Sequence, residues 1–425
     1  MSFALGVVPL VLLVAGFPIF LVLLTAAAVA LVFLMNIPLA ALHQNLFGSI
    51  NAYALLAIPY FIYAGELMGR GSVAQRLVDF VQGGVGAVRG SLGVTTVGTA
   101  TIFGAISGVS AAAVATIGKV MYPSMVRAGY PKPFAAGLIT AVGAIDIIIP
   151  PSIPMIVYGA AAQESVPRLY AAGILPGLLI AALIAGYVVW RAWSANFGAG
   201  EAFSLNRVLI TTMRGLWALG APVIILGGIY GGVFSPTEAA AVACVYAAFV
   251  TRFVFRELTW RDLLEAAVAT VRFTAQILII IACAGVFSWL LTINQVPAAL
   301  VAWIQHFEVS PWMFLLFVNV ILLVVGCFLD PLSAILLLTP LLIPVVKALG
   351  IDTVHFGIVI MVNLAIGLFH PPFGINIFVA QSVLGIDLKV IYRGILPFVV
   401  LYLIALALIT YVPDISLVGV RYLLN

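Results

Sequence analysis

Charge is what this chain has least of. Only 8% of its 425 residues are Asp, Glu, Lys or Arg, against about 25% in an ordinary soluble domain. With 64% hydrophobic residues as well, a soluble globular fold is excluded. Cysteine is nearly absent. Cys244, Cys283 and Cys327 stand singly in apolar stretches, without CxxC or Cys/His spacing, so disulfide and clustered-metal readings lapse. No basic run is interleaved with aromatics, which leaves no nucleic-acid signal despite a net charge of +4. The chain also lacks GxSxG, HExxH, a paired intramembrane Asp motif and the phosphate loop GxxxxGK[ST]. Embedded hydrolysis and direct ATP drive are thereby excluded, and an ion or proton gradient is the remaining energy source. The start, Met1-Ser2-Phe3-Ala4, has no positive n-region, so the first apolar segment reads as retained rather than cleaved.

What remains is long continuous apolar runs. They do not alternate over about ten residues, which excludes a β-barrel. At roughly 20 residues per span the length allows about ten to twelve crossings. The fold class is therefore an all-α polytopic membrane protein. The connectors 70–90, 194–214 and 256–272 are short, so no soluble domain is inserted, and all 425 residues are accounted for by apolar segments and their flanks. The run 3–35 is interrupted by Gly16 and Pro18 and reads as two short helices.

Four segments do not fit simple crossings. The run 134–163 is cut by Ile149-Pro150-Pro151-Ser152-Ile153-Pro154, and 355–384 by His370-Pro371-Pro372-Phe373-Gly374. Each limb alone is shorter than the roughly 30 Å of hydrocarbon, so both are expected to be re-entrant hairpins. Exposed backbone at that depth survives only inside protein or beside a water-filled cavity. The run 91–118 is broken at Gly104-Ala105-Ile106-Ser107-Gly108-Val109-Ser110, and 312–346 near Gly326-Cys327-Phe328-Leu329-Asp330-Pro331. Asp330 before Pro331 is a helix-start signature.

These features recur at one offset of 221 residues. Pro123 matches Pro344, Gly129 matches Gly350, Pro150-Pro151 match Pro371-Pro372, and Gly173-Ile174-Leu175-Pro176 match Gly394-Ile395-Leu396-Pro397. Because the matches are mostly Pro and Gly at breaks, they mark an internal duplication. Five crossings between the two hairpins make the copies inverted. Basic residues then divide thirteen to five between the two faces. The richer face, with Arg70, Arg89, Arg191 and Lys347, is expected to be cytoplasmic. Lys119, Arg127 and Lys132 fall on the other. The expected organisation is N-terminal scaffold helices 1–90, a first transport half 91–193, further scaffold 194–311, and a second transport half 312–425.

Inverted repeats with paired breaks are the architecture of a secondary transporter. Broken-helix N-termini present amides to an anion, and unwound carbonyls and hydroxyls are hard ligands for Na⁺. The first ion site is expected at Gly104, Ser107 and Ser110 facing Pro151, Ser152 and Ile153. The second is expected at Gly326, Asp330 and Ser333 facing Pro372, Gly374 and Asn376. Asp146, Ser152, Asp330, His370 and Asn376 are substrate-cavity candidates. Each has a plainer reading. Asp330 reads equally as an N-cap and as a functional intramembrane carboxylate, and Asp146 equally as a paired or neutral carboxyl. Ser107, Ser110 and Ser333 fit as packing residues or as back-bonded hydroxyls. Asn376 fits as a cap, and His370 as a structural histidine. Ser235-Pro236-Thr237-Glu238 reads as a capping box, and Glu66 with Arg70 as a surface ion pair.

With Ile58-Pro59, Gly65-Glu66-Leu67-Met68, Ile148-Ile149-Pro150-Pro151-Ser152-Ile153-Pro154-Met155 and the run Gly227-Gly228 through Ala239-Ala240 in hand, the sequence resembles the large membrane subunit of tripartite ATP-independent periplasmic (TRAP) transporters, the DctM-like family. Gly326-Cys327-Phe328-Leu329-Asp330-Pro331 and Pro371-Pro372-Phe373-Gly374-Ile375-Asn376 extend the match over nearly the whole chain. The resemblance implies a Na⁺-coupled importer of organic acids such as C4-dicarboxylates or sialic acid, in a bacterial or archaeal inner membrane. It also implies a periplasmic substrate-binding protein and a small four-helix membrane subunit as partners, an elevator mechanism, and no cofactor. The chain departs from the family's pattern at Ala113, Asp146 and His370, where the family has Asp, a small residue and Thr. The alternatives are a stand-alone ion-coupled carboxylate carrier and, in a different class, an intramembrane scaffold or enzyme.

Overall fold

In the computed structural model, residues 7–86, 88–198 and 205–424 are described; the start Met1–Ala4 and part of the 194–214 connector lie outside them. All regular structure among the described residues is helical. In chain order the helices are α1 (Val8–Val14), α2 (Ile19–Ala28, continued as a π-helix to Leu34), α3 (Leu39–Ile50), α4 (Ala57–Arg70), α5 (Val73–Val85), α6 (Ser91–Ser107), α7 (Ser110–Arg127), α8 (Lys132–Val142), α9 (Ile153–Ala162) and α10 (Val166–Ser194). There follow α11 (Leu205–Tyr230), α12 (Pro236–Phe249), α13 (Trp260–Ile293), α14 (Val296–His306), α15 (Pro311–Gly326), α16 (Pro331–Ala348), α17 (Thr353–Phe369), α18 (Ile375–Leu384), α19 (Leu388–Tyr411) and α20 (Asp414–Leu423).

Local chemistry sets many of these boundaries. Ser235 and Glu238 form the expected capping box at α12, and Thr259 with Asp262 forms another at α13. Asp330, Asp352 and Asp387 each accept amide hydrogen bonds at a helix start, satisfying donors with no intrahelical partner. The 3–35 run is two helices, parted at Gly16 and Pro18. Among the described residues five helices, α10, α12 with its π-helical extension, α13, α16 and α19, are long and apolar enough to cross a membrane singly.

The hairpins are not where limb length placed them. Gly93 N donates to Tyr130 Oη at 3.2 Å, and Thr96 Oγ1 lies 3.6 Å from Met125 Sδ. The start of α6 therefore lies beside the end of α7, and 91–127 is a hairpin with its tip at Ser107–Ser110. Gly90 N also donates to Gly198 O at 2.8 Å, so α10 finishes at this same mouth. Because α8 starts there and α10 ends there, α8 and α9 together cross to the far end. The segment 134–163 is a broken crossing, not a re-entrant hairpin.

The second copy gives the same correction. Trp312 stacks on Tyr411 with centroids 5.0 Å apart, and Pro311, Leu349 and Asp352 share one cleft with them. Thus 311–348 is the second hairpin. Tyr158 Oη donates to Thr353 O at 2.6 Å, and the Thr353 hydroxyl bonds Glu164, so this hairpin opens at the end of α10 where the first does not. Since α19 ends at that mouth, 355–384 is the second broken crossing. Limbs too short singly, set end to end, cover the roughly 30 Å of hydrocarbon.

The side assignment of four basic residues changes with it. Tyr130 at the first mouth brings Arg127 and Lys132 to the Arg89 end. Lys119 lines a cleft with Arg70, and Lys347 belongs at the opposite end, beside Leu349. The side chains of Arg207 and Arg214 lie outside the described residues.

The two copies interlock. The α9 helix packs on α16, α18 on α7, and α8 runs along α19. A Cβ on Gly137 would sit 2.1 Å from Gly394 O, so that crossing admits only glycine. Around this unit α13 packs on α2, α3 and α4, α12 packs on α4, and α11 packs on α5 and α12.

Candidate functional site

Four helices begin at one place. The first residues of α7 (Ser110), α9 (Ile153), α16 (Pro331) and α18 (Ile375) all line a single cavity of about 560 Å³. Pro18 at the start of α2, with Phe273 and Gln276 of α13, closes its other wall. Helix N-termini direct amides and a positive dipole end outward, and among the described residues no Lys or Arg lines this mostly apolar chamber. Its polar side chains are Ser110, Gln276, Asp330 and Asn376.

Both readings of Asp330 hold together. Its carboxylate accepts from the Leu332 and Ser333 amides at 3.1 Å each and from the Ser333 hydroxyl, and it faces the cavity. Ser110 Oγ donates to Gly143 O at 2.8 Å and accepts from Asn376 Nδ2 at 2.8 Å. Asn376 Nδ2 also reaches Thr140 O at 3.3 Å. Asn376 is therefore not a cap: Gly374 holds the N-cap position of α18, while Asn376 ties the second broken crossing to the first hairpin.

Around the first tip the expected residues converge. Gly108, with φ +61°, ends α6, and a Cβ there would lie 3.1 Å from Pro151 O. A Cβ on Gly104 would lie 2.6 Å from Asp146 Oδ1. Asp146 is wholly buried; the Val109 amide and the Ser107 hydroxyl face its carboxylate, but neither closes to a well-formed hydrogen bond. Ser107 Oγ sits 3.4 Å from the Val109 amide, and Ser152 Oγ donates to Ile147 O at 2.7 Å. Asp146, Ser107 and Ser152 lie behind the cavity wall rather than on it.

Around the second tip the fit is looser. Gly326 packs against Gly367, and Cys327 Sγ lies 3.3 Å from His370 Nδ1. Pro372 O accepts from Tyr392 Oη at 3.0 Å. His370, Pro372 and Gly374 do not line the cavity, whereas Asp330 and Asn376 do. Phe328 and Phe373, with ring centroids 5.7 Å apart, are exposed beside this tip.

Sequence reasoning missed Gln276 and Phe273, since α13 read as a plain crossing. A lone Gln within an apolar helix was the available signal. It also missed the buried chain Asn363–Asn319–Thr410, linked at 2.8 and 3.1 Å, with His355 3.3 Å from Thr410 O.

Residues 7–415 match the family model described as the tripartite ATP-independent periplasmic transporter, DctM component. The chain belongs to the DctM family. It is 42% identical to the C4-dicarboxylate TRAP transporter large permease protein DctM of Pseudomonas aeruginosa, over 88% of this chain and 87% of that one. It is 39% identical to the isethionate TRAP transporter permease protein DctMQ of Oleidesulfovibrio alaskensis, over 95% of this chain and 64% of that one. It is 38% identical to the ectoine TRAP transporter large permease protein TeaC of Halomonas elongata, over 96% of each. The fold is similar to the Alcanivorax borkumensis YdaH transporter, with TM-score 0.67, 16% identity, and coverage of 98% and 100%. As a DctM-family permease subunit it is a multi-pass membrane transporter component and not an enzyme.

Proposed function

We propose that this DctM-family chain is the translocating subunit of a Na⁺-coupled importer of organic acids. The observation that carries the reading is the meeting of four helix N-termini at one intramembrane cavity, an arrangement suited to a carboxylate or sulfonate group. Relatives named for C4-dicarboxylates, isethionate and 2,3-diketo-L-gulonate support that substrate class. An uncompensated buried carboxylate is costly unless a cation or proton joins it. Asp146, wholly buried near Gly104, Ser107, Ser110, Pro151, Ser152 and Ile153 and met only by the neutral Val109 amide and Ser107 hydroxyl, therefore favours a cation site there. A second ion is assigned to Gly326, Asp330, Ser333, Pro372, Gly374 and Asn376.

The two halves, 91–193 and 312–425, act as inverted repeats that carry the cavity past the surrounding helices as an elevator. The end bearing Arg89, Arg127 and Lys132 faces the cytoplasm, following the positive-inside rule, and the membrane is the inner one. Substrate arrives on a periplasmic binding protein, and a small four-helix subunit completes the membrane complex. Uptake of labelled succinate, isethionate and ectoine into proteoliposomes tests this. The reading requires uptake of an acid that depends on both an inward Na⁺ gradient and the binding protein. Uptake by this chain alone, or driven only by protons, refutes it in favour of a stand-alone carrier.

A further inference from the structure

Two cavities and an open groove lie in a row along α13. The central cavity shares Val109, Ala111 and Phe273 with a second cavity of about 560 Å³, between α4 and α7. The second shares Arg70 with an open groove of about 630 Å³ on the outer face of α13 near its start. Ser107 lies at the inner end of the second cavity, and Thr116 and Lys119 lie further along it. Nine residues separate Ser110 from Lys119, about 13 Å along α7. The row thus leads from the tip of the first hairpin toward the Arg-rich end of the molecule.

Its charge is uneven. Arg70 is held by Glu66 at 3.4 Å and Glu265 at 3.6 Å, and Arg261 by Glu265 at 3.1 Å. Lys119 and Arg272 are exposed cations with no acidic partner among the described residues. The passage therefore holds four cations against two carboxylates, and the unpaired cations line its walls. Phe273 stands between it and the central cavity, which contains Asp330 but no cation.

We propose that this passage is the inward release route and that Lys119 is a transient docking site on it for the substrate's anionic group, a carboxylate or sulfonate. An anion leaving the helix N-termini meets no other side-chain cation before Lys119, and Arg70 and Arg272 take it onward. Cavity walls with an excess of one sign concentrate the opposite ion and hasten its passage. The inference rests on the organic-acid import reading.

The test is uptake of labelled succinate, or of isethionate where succinate is not taken up, by the complete complex in proteoliposomes. Lys119→Gln and Arg272→Gln are each expected to lower the maximal rate about tenfold, at the lower end of focused-charge effects, with the half-saturating substrate concentration unchanged. Lys119→Arg restores the rate. Raising the lumenal salt narrows the gap between wild type and Lys119→Gln, because exposed charges are screened within about 10 Å at 0.1 M; a packing defect does not respond to salt. An unchanged rate in both Gln variants overturns the proposal. So does a defect that vanishes when zwitterionic phosphatidylcholine replaces the anionic lipids, since the site then serves an anionic lipid headgroup. Wild-type complex that takes up neither acid overturns the import reading itself, and the release route with it.

Discussion

Two side chains separated by 266 residues hold the cavity together. Ser110 accepts a hydrogen bond from Asn376 while donating to the Gly143 carbonyl. Removing the hydroxyl leaves a buried amide and a buried carbonyl short of a partner, at a cost of about 1–3 kcal/mol. Ser110→Ala is expected to assemble but to lose at least about tenfold in uptake. Asn376→Ala should do the same, and the double variant should fall little further, since residues in one network are not additive. Full additivity in that double-mutant comparison would separate the two residues. This contact joins distant segments and could not be read from spacing. Sequence pattern did show the N-cap Asp330, the capping box at Ser235 and Glu238, and the Glu66–Arg70 ion pair at 3.4 Å. Each of these lies within four residues of its partner, which is why pattern was sufficient.

Among elements, the positions of the breaks were legible and the path of the chain through them was not. Gly and Pro punctuate α6–α7, α8–α9, α15–α16 and α17–α18 where the sequence indicates. Limb length cannot say whether two short limbs fold back or continue. The pairing of Gly93 with Tyr130, and the cleft that Pro311 shares with Leu349, decide it. The α8–α19 contact makes an element-scale prediction. Gly394→Ala would drive a methyl toward Pro133 O, now 1.8 Å from that Cβ position, so a drop in melting temperature is expected in detergent, from overpacking worth about 1–3 kcal/mol or more. An unshifted melting temperature would mean that the helices can part freely.

A second element-scale prediction concerns α5. Outside the spans, Glu257 accepts from the Ser72 amide at 2.7 Å and from Arg76 at 3.1 Å, pinning the start of α5. Burial raises its pKa, but the bonds from Ser72 and Arg76 outweigh burial and hold it below the usual 4.5. A depressed carboxylate stabilises above its ordinary range and loses that contribution as pH falls through the lowered value. Protection factors at α5, which divide out the intrinsic pH dependence of amide exchange, should therefore be high at pH 7 and fall in acid below that range. Glu257→Gln should show low protection at both.

For the whole molecule, the hairpins open at opposite ends of α10, and the helix starts meet between them. That convergence explains how a chain with so few charges builds a polar site: the dipoles come from backbone, at little cost in intramembrane charge. The contribution of α13, through Phe273 and Gln276, was not legible, because one Gln in an apolar run does not announce which cavity it meets.

The most direct test of the central cavity is Na⁺-driven uptake by the complete complex carrying Asp330→Ala, with assembly confirmed by size-exclusion chromatography. Loss of nearly all uptake at every Na⁺ concentration is expected. An assembled Asp330→Ala complex that retains wild-type uptake and Na⁺ dependence would contradict it.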